Sequence, residues 1–157
     1  MRNIIRSINA LLAALNITIL AIIVACVTWQ VAARFIFTSP SIFTDELSRL
    51  LFICLGLFGG AYTAGQNHLA IDLLPMMLKG KARRHLFLCI QIIVIIFATI
   101  IMVYGGGLLT MDTFDSGQTS PALGWQMGYI YMSIPISGVL IIIYTIDMVL
   151  TELKQPL

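Results

Sequence analysis

Four stretches free of Asp, Glu, Lys and Arg divide this chain, at residues 7–33, 50–71, 86–111 and 116–146. Each reaches the roughly 20 residues that a helix needs to cross a hydrocarbon core. The fold class expected is therefore an all-α integral membrane protein with four transmembrane helices, at about 10–35, 46–70, 86–111 and 124–147. Spans and short connections use almost all of residues 1–157, which read as a single membrane domain with no soluble domain, linker or low-complexity tract. Composition agrees: 59% of residues are hydrophobic and 10% charged, where soluble domains carry roughly 25% charged.

The basic residues fix the orientation. Arg2 and Arg6 precede the first span, Lys79, Lys81, Arg83 and Arg84 lie between the second and third, and Lys154 follows the fourth. The opposite side carries only Arg34 and Arg49, together with Asp45, Glu46, Asp112 and Asp115. This Lys/Arg excess places both termini in the cytoplasm. A net charge of +2, distributed in this way, describes a topology signal and not a nucleic-acid surface, so no nucleic-acid partner is expected. The 79–84 cluster also suits anionic membrane lipid, each charge contributing about 1 kcal/mol near the surface.

The first span is long. Ile4, Ile5, Ile8, Leu11, Leu12 and Leu15 form one stripe, opposite Arg2, Arg6, Asn9, Ala13 and Asn16. Either an amphipathic segment of residues 1–10 lies along the inner interface, or the whole helix tilts to absorb its length. Asn9 and Asn16 share a face and are expected to hydrogen-bond between helices. Ile23-Val24-Ala25-Cys26 resembles a lipoprotein cleavage box, but the apolar run before it exceeds a signal core and continues to Ala33, so it is read as an uncleaved span.

The second span opens on Thr44-Asp45-Glu46-Leu47-Ser48-Arg49 and closes on Asn67-His68-Leu69-Ala70-Ile71-Asp72. Thr44 is expected to cap it, with Asp45 and Glu46 in a first turn that favours anions. Arg49 is within pairing distance of either carboxylate, and Arg34, at the same side of the membrane, is expected to pair with one of them. Gly56, Gly60 and Ala64, and Ala61 with Gly65, place small residues at four-residue spacing, as do Gly124 and Gly128 in the fourth span, and these sets are expected to pack helices closely. Tyr104-Gly105-Gly106-Gly107 weakens the third span near its outer end and permits close packing or a bend there, and Pro135 is expected to kink the fourth. The separation of Asp45 and Asp72 is about 27 residues, roughly 40 Å of helix, so the polar ends of span two sit at opposite interfaces and not at depth.

Little chemistry remains. No acidic or basic residue falls at the middle of a span, whereas an autonomous ion-coupled carrier shows intramembrane ionisable groups or paired interrupted helices. Cys26, Cys54 and Cys89 lie within spans without CxxC spacing, and read as small buried residues. His68 and Asp72 share a face, but two ligands do not make a metal site, and they read as a polar pair closing a helix. No catalytic, substrate-binding or metal-binding residue and no cofactor is expected, and the chain does not read as an enzyme. Two other classes stay open: a membrane anchor of a redox enzyme with haem on His68 and His85, and a small multidrug exporter acting as a dimer.

Trp29 with Arg34-Phe35, the Phe43–Arg49 opening of span two, His68-Leu69-Ala70-Ile71-Asp72, and Ser120-Pro121-Ala122-Leu123-Gly124 occur in an order and spacing that resemble the small, DctQ-type membrane subunit of the tripartite ATP-independent periplasmic (TRAP) transporters. The resemblance covers nearly the full length. It implies a multi-pass protein of the bacterial inner membrane that scaffolds a large transport subunit of the DctM/SiaM type. It also implies that the chain helps to dock a periplasmic substrate-binding protein during sodium-driven uptake of a carboxylate solute such as sialic acid, a C4-dicarboxylate or another sugar or keto acid. On this reading Arg34, Asp45, Glu46, Arg49, His68 and Asp72 are candidates for assembly and ion pairing, and Asp112 and Asp115 for periplasmic docking.

Overall fold

The computed structural model of the chain describes residues 2–36, 41–65 and 81–154. Helix α1 (Arg2–Ile36) and helix α2 (Ile42–Gly65) form the first two spans. Helix α3 (Lys81–Phe97) continues through a π-helical segment, Ala98–Gly105, into α4 (Gly106–Asp115), and together these make the third. The fourth is built from a short helix, α5 (Met127–Tyr131), and a long one, α6 (Ser133–Lys154). Four segments are long and apolar enough to cross a bilayer: Ile5–Ile36, Ile42–Gly65, Arg84–Asp115 and Met127–Leu153.

The spans pack as an open row. Span one lies against span two, span two against span four, and span four against span three, with no comparable contact from one to three among the described residues. In the most apolar window of each span only 11–22% of residues are buried. In water this exposure would be prohibitive. In lipid it costs little, because hydrocarbon tails solvate Leu and Ile side chains as well as another helix does.

Contact between spans is therefore decided by shape and by polar groups. Four glycines mark the tight places: Gly65, Gly106, Gly128 and Gly138. A β-carbon on Gly65 would lie 2.7 Å from Asn9 Oδ1 and 2.9 Å from the Tyr144 ring, so spans one, two and four converge there. A β-carbon on Gly138 would meet Met102 Cβ at 2.7 Å, and one on Gly106 would meet Ile134 Cγ2 at 2.6 Å. Spans three and four thus approach closely at two levels. Asn9 donates to the Gly65 carbonyl at 3.4 Å. Threonines inside the spans, such as Thr110 and Thr145, return their hydroxyls to the carbonyl four residues back, which satisfies them without a partner helix. At the inner rim Arg84 Nη2 donates to the Leu153 carbonyl at 3.3 Å, placing a cation at the C-terminal end of α6.

Several expectations change. α1 runs uninterrupted from Arg2 to Ile36, 35 residues, or about 52 Å at 1.5 Å per residue. Tilt can absorb that excess over a roughly 30 Å core. Asn16 donates to Leu12 of its own helix and not across to another. Thr44 lies inside α2 and donates to the Ser41 carbonyl, so it does not cap the helix. Gly124 stands outside any helix at φ 69°, and Gly128 in α5 packs on the Phe114 ring, so these two do not form one helix face. Gly56 and Gly60 have no neighbour within 4 Å of a β-carbon and point away from the other spans, with Ala64 half-buried beside them. The break in span four falls at Met132, three residues before Pro135. Pro135 has no N–H for the Tyr131 carbonyl and its ring crowds that carbonyl, which displaces the break one turn upstream.

These contacts predict a contrast between two glycines of one helix. Gly65→Ala should lower the thermal midpoint of the purified chain, through overpacking of about 1–3 kcal/mol. Gly60→Ala should leave it nearly unchanged or slightly raised. Paired melts in one detergent check both.

Candidate functional site at the outer rim

The outer end of the molecule is held by a carboxylate. Glu46, in the second turn of α2, accepts from Ser120 Oγ at Oε1 (2.5 Å) and from the Ala122 backbone N–H at Oε2 (2.6 Å). Both donors lie in the connection between spans three and four. Glu46 thus joins two sequence landmarks, one opening span two and one preceding span four.

The connection itself is a small hairpin. α4 ends where Gly117 takes a left-handed φ of 62° and returns its N–H to the Phe114 carbonyl, a conformation that costs glycine nothing. Thr119 and Gln126 then form an antiparallel bridge. Ser120 N–H donates to the Trp125 carbonyl at 2.8 Å, and Met127 N–H to the Gln118 carbonyl at 2.9 Å. Gly124 makes the tip turn and donates to the Ser120 carbonyl at 2.9 Å. A two-stranded hairpin is at best marginally stable alone. Here charge-assisted bonds from Glu46 fix its tip, and Ser120, only 2% exposed, is enclosed beneath it. At the base, the Phe114 and Tyr129 rings meet edge to face at 5.2 Å and hold α4 against α5.

A second set of bonds ties in span one. Gln30 Nε2 donates to Ser48 Oγ at 3.2 Å, and Ser48 Oγ donates to the Asp45 carbonyl at 2.9 Å. Gln30, Ser48 and Ser120 are therefore structural members of the rim that charge-based reading does not find. Only the position of Ser48 and Ser120 within the two landmark segments pointed to them. Asp45 Oδ2 lies 3.0 Å from Arg49 Nη2, both side chains being exposed.

The other candidates are placed as follows. Arg34 is exposed at the end of α1, and no carboxylate among the described residues pairs with it. Glu46 is not its partner, because both Glu46 oxygens are taken by the hairpin. Asp112 and Asp115 are exposed on α4, and Gln118, Trp125 and Gln126 are exposed in the connection that follows. The rim thus carries four carboxylates (Asp45, Glu46, Asp112, Asp115) against two guanidiniums (Arg34, Arg49). His68, Asp72 and Lys79 lie outside the described residues. Lys81, Arg83 and Arg84 open α3 at the inner rim. Among the described residues no three His, Cys, Asp or Glu side chains gather as metal ligands would.

This geometry holds a surface in shape; it does not present a reactive group. Glu46→Ala should free the Ala122 amide, and its hydrogen exchange should accelerate by tenfold or more, since a hydrogen bond to a charged group contributes about 1.5–3 kcal/mol. Glu46→Gln keeps one acceptor and should have an intermediate effect. Exchange of the 118–126 segment, read by mass spectrometry, checks the order.

Comparison with known sequences is consistent with this account. Residues 23–155 match the family described as "Tripartite ATP-independent periplasmic transporters, DctQ component". The chain is 28% identical to the sialic acid TRAP transporter small permease protein SiaQ of Vibrio cholerae, over 98% of this chain and 86% of that protein. It is 30% identical to a putative TRAP transporter small permease protein of Haemophilus influenzae, over 80% of this chain and 74% of that one. It also matches the sialic acid TRAP transporter permease protein SiaT of Haemophilus influenzae at 30% identity, over 80% of this chain but 20% of SiaT.

Proposed function

Because this chain belongs to the DctQ family of TRAP transporter components, we propose that it scaffolds a larger membrane subunit and receives a periplasmic binding protein at its outer rim, during sodium-driven uptake of a carboxylate-bearing solute. It is a multi-pass protein of the bacterial inner membrane and a small permease subunit. Membership displaces the haem-anchor and drug-exporter alternatives.

The observation that carries the scaffold role is the use made of Glu46. It is the outer-rim carboxylate most enclosed by the fold, and both its oxygens hold the hairpin. No charged side chain stands at the middle of a span. A chain built in this way supports a pathway that lies elsewhere. The match to one-fifth of the longer SiaT permease supports the same division, a small module working beside a larger membrane unit. Sialic acid in the names of two relatives is in keeping with a carboxylate substrate.

The exposed acidic rim gives the docking role its chemistry. Asp112 and Asp115 present exposed negative charge on α4, and complementary charge chiefly speeds association. Uptake into proteoliposomes holding both membrane subunits and the binding protein should fall by about tenfold at low salt in the Asp112→Lys, Asp115→Lys double variant. Raising salt to about 0.5 M, where screening is strong, should narrow the gap. Equal uptake by both forms at low salt would remove the docking role.

Arg34 is assigned to the assembly surface. Its guanidinium is exposed without a partner carboxylate in the described chain, and it would meet one on the larger subunit. Arg34→Glu should reduce co-purification of the two membrane subunits. Arg49→Glu, which loses only its own Asp45, should reduce it less.

A further inference from the structure

Spans three and four are both interrupted, and the interruptions face each other. In span three the eight residues Ala98–Gly105 are π-helical. Gly106 N–H donates to Ile101, five residues back, and also to Val103. Three consecutive glycines, Gly105 to Gly107, follow directly. Glycine lowers helix stability by roughly 1 kcal/mol relative to alanine at each position, so the return from π to α register falls on the weakest backbone of the span. In span four the turn at Met132 separates α5 from α6, and Pro135 denies Tyr131 its helical donor. The two sites are at one level, because a β-carbon on Gly106 would touch Ile134 and lie 3.4 Å from Pro135 Cδ.

On the inner side of that level the pair is locked. A β-carbon on Gly138 would sit 2.7 Å from Met102 Cβ and 3.4 Å from the Ala98 carbonyl, leaving no room to slide. On the outer side α4, the hairpin and α5 have their own internal contacts: the Phe114–Tyr129 edge, Gly128 against Phe114, and the Gln118–Met127 bond. Residues 106–131 are thus a compact unit standing on two aligned weak points. Among the described residues, both hydrogen bonds from this unit to span two end on Glu46.

We propose that residues 106–131 form an outer lobe that rocks on a hinge shared by spans three and four, at 105–107 and 132–135, and that Glu46 is its latch. Motion is confined to residues 106–131, on the outer side of the Gly138 contact. With the latch made, the hairpin lies against α2. With it broken, the lobe swings away from α2 while the Gly138 contact holds the inner part in place. Use of this motion in receiving a binding protein rests on the small-subunit reading. The rocking itself does not, because it is measured on the chain alone.

The test is a pair of spin-label distances in the full chain in lipid nanodiscs, with Cys26, Cys54 and Cys89 replaced by Ala. One pair, Gln118→Cys with Leu150→Cys, spans the hinge. The other, Leu11→Cys with Leu150→Cys, stays below it. Glu46→Ala should broaden the first distribution and leave the second unchanged. Adding Gly107→Ala, where the β position is open, should narrow the first again by stiffening the helix, and Pro135→Ala should do so through the restored backbone bond. No broadening in Glu46→Ala, broadening of both pairs alike, or broadening that neither stiffening variant reverses would overturn the hinge.

Discussion

Hydrocarbon offers a backbone no hydrogen-bond partner, and the rest of this structure follows from that. Each apolar stretch must satisfy its own N–H and C=O groups, which makes it a helix. Since lipid also removes most of the hydrophobic drive for helices to associate, burial cannot hold the four spans together. The open row, with few residues buried in any span, is what remains when contact depends on close approach and on polar bonds. Gly65, Gly106 and Gly138 supply the approach. Asn9, Arg84, Gln30 and Glu46 supply the bonds between segments.

That economy explains the division between the two rims. Among the described residues the inner side is tied by a guanidinium on a helix end and an amide on a carbonyl. At the outer side the connection between spans three and four is folded into a hairpin and pinned by a carboxylate with two short bonds. Two charge-assisted bonds to one carboxylate give the outer connection its order. The π segment and the broken fourth span qualify that order, because the ordered surface stands on the least regular helix of the molecule.

The outward faces complete the picture. Gly56 and Gly60 point away from the other three spans, and long apolar side chains on α6 such as Ile136, Ile143 and Leu150 are exposed. A four-span unit that leaves Gly56, Gly60 and these long side chains outside its own contacts has surface to offer a larger membrane assembly, in accord with its family.

The number of spans was legible in the sequence, because it depends on local composition, the length of each apolar run. The landmarks at Phe43–Arg49 and Ser120–Gly124 were legible as well, but not the bond between them. Only the tertiary structure decided that Glu46 serves Ser120 and Ala122 and not Arg34, because charge attracts at a distance whereas a carboxylate is satisfied by whichever donors the fold brings within about 3 Å. The glycines were decided in the same way. Spacing marked Gly56, Gly60, Gly65, Gly124 and Gly128 alike, yet only Gly65 and Gly128 among them make close contacts, with Gly106 and Gly138 beside them, since a small residue permits an approach and only the neighbouring helix determines whether one is made.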